Sequence, residues 1–176
     1  KADYIRHYYE CLCGHFFSHH SIDLTSIYSS EYLNKTYNDI NGIYEKLRQI
    51  QLLPRHLSDN AGRVERINKM AANHEFPNRR LLDIGAGIGV FPSAMKENGW
   101  DVTAIESDKR MVEHLQSYVG VHALNNDILD LSPSDFLSFD VITWNKVLEH
   151  IEKPVDVLLQ SARFLADRGF IYVEVP

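Results

Sequence analysis

The stretch Leu81-Leu82-Asp83-Ile84-Gly85-Ala86-Gly87-Ile88-Gly89-Val90-Phe91 constrains this chain more than any other. A short apolar run reads as a buried strand, three alternate glycines follow, and a second apolar run from Ile88 opens a helix. Glycines in such a loop permit left-handed backbone and let a ligand approach closer than a Cβ would allow. The helix behind them offers unpaired N–H groups in its first turn. A nucleotide-like ligand is the natural occupant of a strand, tight loop and helix start arranged in this order.

Spacing narrows the ligand. The dinucleotide fingerprint wants glycines at its first, third and sixth positions. Gly85 and Gly87 fit, but the sixth position is Val90, and the third glycine falls early, at Gly89. Asp83 adds a carboxylate just ahead of the loop, which favours a cationic or amine-bearing ligand over a polyanion. Asp-x-Gly-x-Gly-x-Gly after a strand resembles the first motif of class I S-adenosylmethionine-dependent methyltransferases. Their ligand carries a sulfonium and an amino group and no phosphate.

From Leu81 onward the chain alternates short apolar runs with helical stretches. A helix after the loop stops at Asn98-Gly99, Trp100–Ile105 reads as a second strand, and a helix opened by Ser107-Asp108 closes at Gly120. Val121–Leu124 is a third strand, Phe139–Trp144 a fourth, a helix from Pro154 reaches about Ala166, and Phe170–Val175 is the fifth strand. This alternation specifies parallel βαβ units, hence an α/β fold with a doubly wound, mainly parallel, Rossmann-like sheet. Residues 77–176 form that domain. Residues 1–76 read as an N-terminal helical and aromatic extension, with one helix running from about Ser29 to Ile50, ended by Pro54, and another capped by Asp59 and running to about His74.

Ligands of doubly wound sheets sit at the carboxyl ends of the strands. Asp83, Glu106, Asp127 and Asn145 all fall at or just past such ends. Glu106 lies 21 residues beyond Gly85, where a strand-end acid accepts hydrogen bonds from ribose hydroxyls. By the resemblance, Asp127 accepts from the adenine amino group, the Ile128 N–H reaches the ring, Gly85 and Gly87 approach the methionine moiety, and Met111 packs on the adenine or belongs to the core. Asn145-Lys146-Val147-Leu148-Glu149-His150-Ile151 resembles the fourth motif of small-molecule methyltransferases, which puts Asn145 near the sulfonium. His150 is the one residue there with a natural pKa for a general base, its alternative being a core or capping histidine. Glu174 and Pro176 border the substrate pocket, and Tyr28, Tyr32 or Tyr37 roofs the cofactor, since similar enzymes lay a Tyr-bearing helix across it. The resemblance further implies two more strands, including an antiparallel hairpin, which this sequence lacks.

The N-terminal run Cys11-Leu12-Cys13-Gly14-His15-Phe16-Phe17 resembles the second half of the zinc ribbon that sugar C-methyltransferases carry. Cys-x-Cys is shorter than the usual knuckle, and no second cysteine pair closes a tetrahedron, so no metal is assigned. The same two cysteines stand too close for a relaxed disulfide, which favours a reducing, cytoplasmic setting.

Composition sets the outer bounds. With 44% hydrophobic and 24% charged residues the chain has the makings of an ordinary folded domain. Its net charge of −6, from 18 Lys+Arg against 24 Asp+Glu, argues against a nucleic-acid backbone as partner. No apolar run approaches the ~20 residues of a membrane span. The expected activity is methyl transfer from S-adenosylmethionine to a small-molecule or carrier-bound acceptor. The alternatives are a non-catalytic S-adenosylmethionine-binding scaffold and, less favoured by Val90, an NAD(P)-dependent oxidoreductase.

Overall fold

The computed structural model describes residues 6–20, 40–76 and 78–176. The chain divides into two compact units, Lys1–Lys46 and Leu47–Pro176. In the first, strands β1 (Arg6–Glu10) and β2 (Phe16–His20) form an antiparallel hairpin. Tyr9 stacks on Phe17 across it at 5.3 Å, the kind of cross-strand aromatic pair that stabilises a ladder. A hairpin was not expected here. The polar and aromatic run lacks a clean two-residue alternation, and only the turn, where the Cys11 N–H donates to the His15 carbonyl at 2.8 Å, makes the pairing visible.

That turn also corrects the expectation for the cysteines. Cys11 and Cys13 are joined by a disulfide, with their Cα atoms 5.3 Å apart, inside the range that such a bridge spans. Their close spacing is therefore no sign of a reducing compartment. Among the described residues, no group of three or more His, Cys, Asp or Glu could hold a metal ion. Nor is any helix among them long and apolar enough to cross a membrane.

Helix α1 (Ile40–Gln51) buries Ile43 and Leu47 and stops ahead of Pro54. Helix α2 (Asp59–Ala72) differs from expectation at its start, because the capping side chain is Ser58, whose Oγ accepts the Ala61 N–H at 3.2 Å. A hydroxyl at this position satisfies one of the orphan donors of the first turn; Asp59 is the first helical residue, where its charge favours the helix dipole. The face that α2 buries is Arg63, Ile67 and Ala71, while Met70 is exposed. A cation thus occupies an inward position that apolar periodicity alone would not mark.

The second unit is built on five parallel strands in the order β5-β4-β3-β6-β7. They are β3 (Arg80–Ile84), β4 (Asp101–Ile105), β5 (His122–Leu124), β6 (Phe139–Asn145) and β7 (Leu165–Glu174). Helices α3 (Val90–Glu97), α4 (Lys109–His114, extended by a π-turn over Leu115–Val119) and α5 (Pro154–Ala162) make the crossovers. The central strands β3 and β6 are buried almost throughout, as strands covered on both faces must be. Trp144, Ile142, Leu82 and Ile84 anchor the core beside Phe139, Val157 and Phe164.

Helix α5 ends four residues earlier than the sequence suggested. The Phe164 N–H turns back to Ser161 O at 3.0 Å, and Leu165 already pairs with Phe139. The polar residues Asp167-Arg168-Gly169 form an irregularity inside β7 between the Leu165 and Phe170 pairings instead of a separate turn. All five strands that the sequence suggests in residues 77–176 are present, and their order puts the reversal of direction between β3 and β6.

Candidate functional site

That reversal is the topological switch point, where open α/β sheets bind ligands. Asp83 of β3 and Asn145 of β6 meet across it, the Asn145 Nδ2 donating to Asp83 Oδ1 at 3.0 Å. Thr143 Oγ1 donates to the same oxygen at 2.7 Å. Asp83 is 2% exposed. Burial pushes its carboxyl up to about 7, against the opposing pull of Thr143, Asn145 and the Arg63 guanidinium. The oxygen of the same amide, Asn145 Oδ1, is buried without a hydrogen-bond partner, an acceptor that a ligand donor would satisfy.

The glycine loop is held from the next strand. Glu106, at the end of β4, accepts the Gly87 N–H on Oε2 at 2.8 Å, and the Ser107 N–H on Oε1 at 2.8 Å. A carboxylate that gathers the loop and the start of the next connection sets the distance between β3 and β4 at their carboxyl ends. Gly85 accommodates the loop after β6: a Cβ there would lie 2.5 Å from Val147 Cγ2. Above these residues opens a cavity of about 490 Å³ lined by Gly85, Glu106, Asp127, Ile128, Val147 and His150, among others.

Asp127 Oδ1 caps the short turn Ile128–Asp130 by accepting the Leu129 N–H at 2.9 Å. Ile128 beside it is buried. His150 closes the turn Leu148–His150, its side chain 51% exposed and 3.9 Å from Glu149. It lies on the cavity rim, outside the core. Met111 is 2% exposed and belongs to the core, away from the cavity lining. Tyr28, Tyr32 and Tyr37 lie outside the described residues.

The structure thus joins Gly85, Glu106, Asp127, Ile128 and His150 around one cavity, with Asp83 and Asn145 paired at the switch point and Gly87 tied to Glu106. The most prominent addition is Arg63 of α2. Its Nε donates to Glu174 Oε2 at 3.2 Å and its NH2 to Glu174 Oε1, while its charge reaches Asp83. Those two nitrogens bind the Glu174 carboxylate side-on and hold the guanidinium in place. No motif flags it; an arginine in phase with Ile67 and Ala71 on a buried helical face was the available signal.

Comparison with known proteins bears on the family and the fold. Residues 53–176 match the methyltransferase domain family Methyltransf_23. The ubiquinone biosynthesis O-methyltransferase of Xanthomonas campestris is 31% identical over 113 residues, 61% of this chain and 47% of that protein. The corresponding enzyme of Hahella chejuensis is 28% identical over 148 residues, 81% and 57% of the two chains. The chain therefore spans about half the length of the curated relatives that it matches. Among solved structures, the plantazolicin methyltransferase BpumL with a monoazolic desmethylPZN analog and SAH superposes at a TM-score of 0.60 and 19% identity, covering 81% of this chain and 56% of that one. A SAM-bound amino pentose methyltransferase from Micromonospora echinaspora superposes at 0.59 and 20% identity, covering 76% and 56%. Both similarities speak to the fold. On the match over residues 53–176, the chain belongs to the methyltransferase domain family.

Proposed function

We propose that this chain binds S-adenosylmethionine and moves its methyl group to a small-molecule or carrier-linked acceptor. The observation that carries the reading is the switch-point constellation, in which a buried acid, an amide with an orphaned oxygen and a loop-gripping glutamate surround one glycine turn. The residues fit the ligand's parts. Glu106 supplies carboxylate oxygens for a ribose diol, Asp127 an acceptor and Ile128 an N–H and apolar surface for an adenine. Asn145 Oδ1 and the Asp83 carboxylate suit an ammonium, and Arg63 suits the carboxylate of the same amino-acid end. Arg63 lies within residues 1–76, so in this reading part of the N-terminal segment covers the cofactor. The relatives and structural neighbours named above, which methylate or carry SAM or SAH, support the same assignment.

When bound, S-adenosylmethionine supplies an activated methyl group on a cationic sulfur, so the chemical drive is its own. The protein binds, orients and excludes water from the two reactants. His150, on the rim of the cavity, takes the proton from an oxygen or carbon acceptor as that atom gains the methyl group. Val147, seated on Gly85, helps to close the floor against solvent.

Replacing Glu106 by Ala removes charge-assisted acceptors, each worth about 1.5–3 kcal/mol. The expected loss of S-adenosylhomocysteine affinity is about 10- to 100-fold, read by calorimetric titration. Unchanged affinity would remove the ribose assignment.

A further inference from the structure

Glu174, the last residue of β7, is a node between two elements that flank the switch point. Its backbone carbonyl accepts the Lys146 N–H at 2.7 Å, which fixes the residue directly after Asn145. Lys146 has a φ of 57°, a left-handed conformation that a non-glycine side chain adopts only when its surroundings hold it there. The Glu174 side chain meanwhile grips α2. Oε1 accepts Arg63 NH2, and Oε2 accepts Arg63 Nε at 3.2 Å, Arg66 NH2 at 2.9 Å and the Tyr172 hydroxyl at 2.9 Å. Arg66 Nε donates in turn to Tyr172 Oη at 3.1 Å. The Glu174 side chain is 18% exposed and that of Arg63 only 9%.

The charges in this cluster are unequal. Two guanidiniums, Arg63 and Arg66, face the one Glu174 carboxylate. Arg63 is the buried member, and the Glu174 that holds it is the register partner of Asn145 at the switch point, whereas Arg66 is more than half exposed. A guanidinium held through two of its nitrogens cannot rotate, and what remains of its fork has a set direction.

We propose that Glu174 is a positioning residue that sets Arg63 to receive the carboxylate of the cofactor's methionine end, with Arg66 supplying the charge that keeps the cluster net positive. The proposal rests on the reading of the site as one for S-adenosylmethionine. It concerns the amino-acid end alone, since Glu106 and Asp127 serve the nucleoside end from β4 and the turn after β5. Glu174 acts through Arg63 and does not touch the ligand.

The test uses two ligands that share a nucleoside and differ in the amino acid. S-adenosylhomocysteine has the carboxylate, and 5′-methylthioadenosine lacks the whole amino-acid end. In calorimetric titration, Glu174→Gln is expected to weaken S-adenosylhomocysteine by about tenfold or more while leaving methylthioadenosine within about twofold. Arg63→Gln should show the same ligand split, and the double variant should lose little beyond either single one, because both changes interrupt one relay. Tyr172→Phe, which removes one support of Glu174 without removing a charge, gives a smaller loss of the same kind and keeps the test available if Glu174→Gln lowers the folded yield. Equal weakening of both ligands, or additive losses in the double variant, would overturn the proposal and leave Glu174 a structural brace. Unmodified protein that binds neither ligand would overturn the cofactor reading beneath it.

Discussion

Asp83→Asn should make the protein more stable and less able to bind its ligand. Asp83 is 2% exposed, and burial lifts its carboxyl from 3.8 to about 7. At about 1.4 kcal/mol per tenfold change in proton affinity, that rise corresponds to roughly 4 kcal/mol between the two ends of the titration. The sign follows from the direction of the rise. The folded state holds the proton more tightly than the unfolded chain, so its stabilising effect is fully present below about 3.8, declines as pH rises, and is gone above about 7. Asparagine does not titrate, and its carbonyl can still accept from Thr143 Oγ1 and Asn145 Nδ2. The gain in stability on substitution should therefore be larger at pH 8 than at pH 5 by roughly 2–3 kcal/mol, the part of the titration that lies between them. Urea unfolding of both proteins at the two pH values measures it, and acids common to both cancel in the difference. A stability difference that does not change with pH, or a substituted protein weaker than its parent at pH 8, would refute the assignment of Asp83 as a desolvated acid.

Two glycines of the same loop should behave differently when replaced by alanine. At Gly89 a Cβ would lie 2.7 Å from Leu115 Cδ2 and 2.9 Å from Val119 Cγ2, and φ is 81°, so Gly89→Ala should cost about 2–5 kcal/mol of stability, seen in the urea midpoint. At Gly87 a Cβ meets nothing within 4 Å although φ is 54°; Gly87→Ala should cost about 1–2 kcal/mol but fill space that the ligand needs, so its larger effect is on S-adenosylhomocysteine affinity. Equal effects of the two on stability would contradict the division of labour in the loop. His150→Ala should lower methyl-transfer turnover at saturating cofactor by about 100-fold or more with S-adenosylhomocysteine affinity nearly unchanged; normal turnover would return this exposed imidazole to a role on the surface.

The parallel sheet was legible because each βα unit carries its own punctuation. Gly99, Gly120 and Pro154 end or open elements where the chain places them, and the strands between are apolar because both faces are covered. The strand-end acids were legible for the same reason, since a residue at the carboxyl end of a parallel strand faces the ligand side whatever the helices do. Long-range pairings were not. The Arg63–Glu174 pair joins residues 111 apart in sequence, and neither residue has a local pattern that betrays the other. Expected apolar stripes likewise gave no warning that α2 turns Arg63 inward while Met70 stays exposed. At α5, propensity favoured a longer helix, and the pairing of Leu165 with Phe139 overrode it. The hairpin β1–β2 was hidden by its composition, because its exposed Tyr8, Tyr9, Phe16 and Phe17 do not alternate with polar residues in the way that a half-buried strand does.

The claim on which the rest depends is that the glycine turn at the β3/β6 switch point holds S-adenosylmethionine and not a dinucleotide. Calorimetric titration of the purified chain with S-adenosylhomocysteine, with NADH as the control ligand, tests it most directly. The account predicts binding of S-adenosylhomocysteine in the micromolar range, about −8 kcal/mol, and no heat from NADH beyond dilution. Binding of NADH, or of neither ligand, would contradict it and withdraw the roles given to Glu106, Asp127, Asn145 and His150.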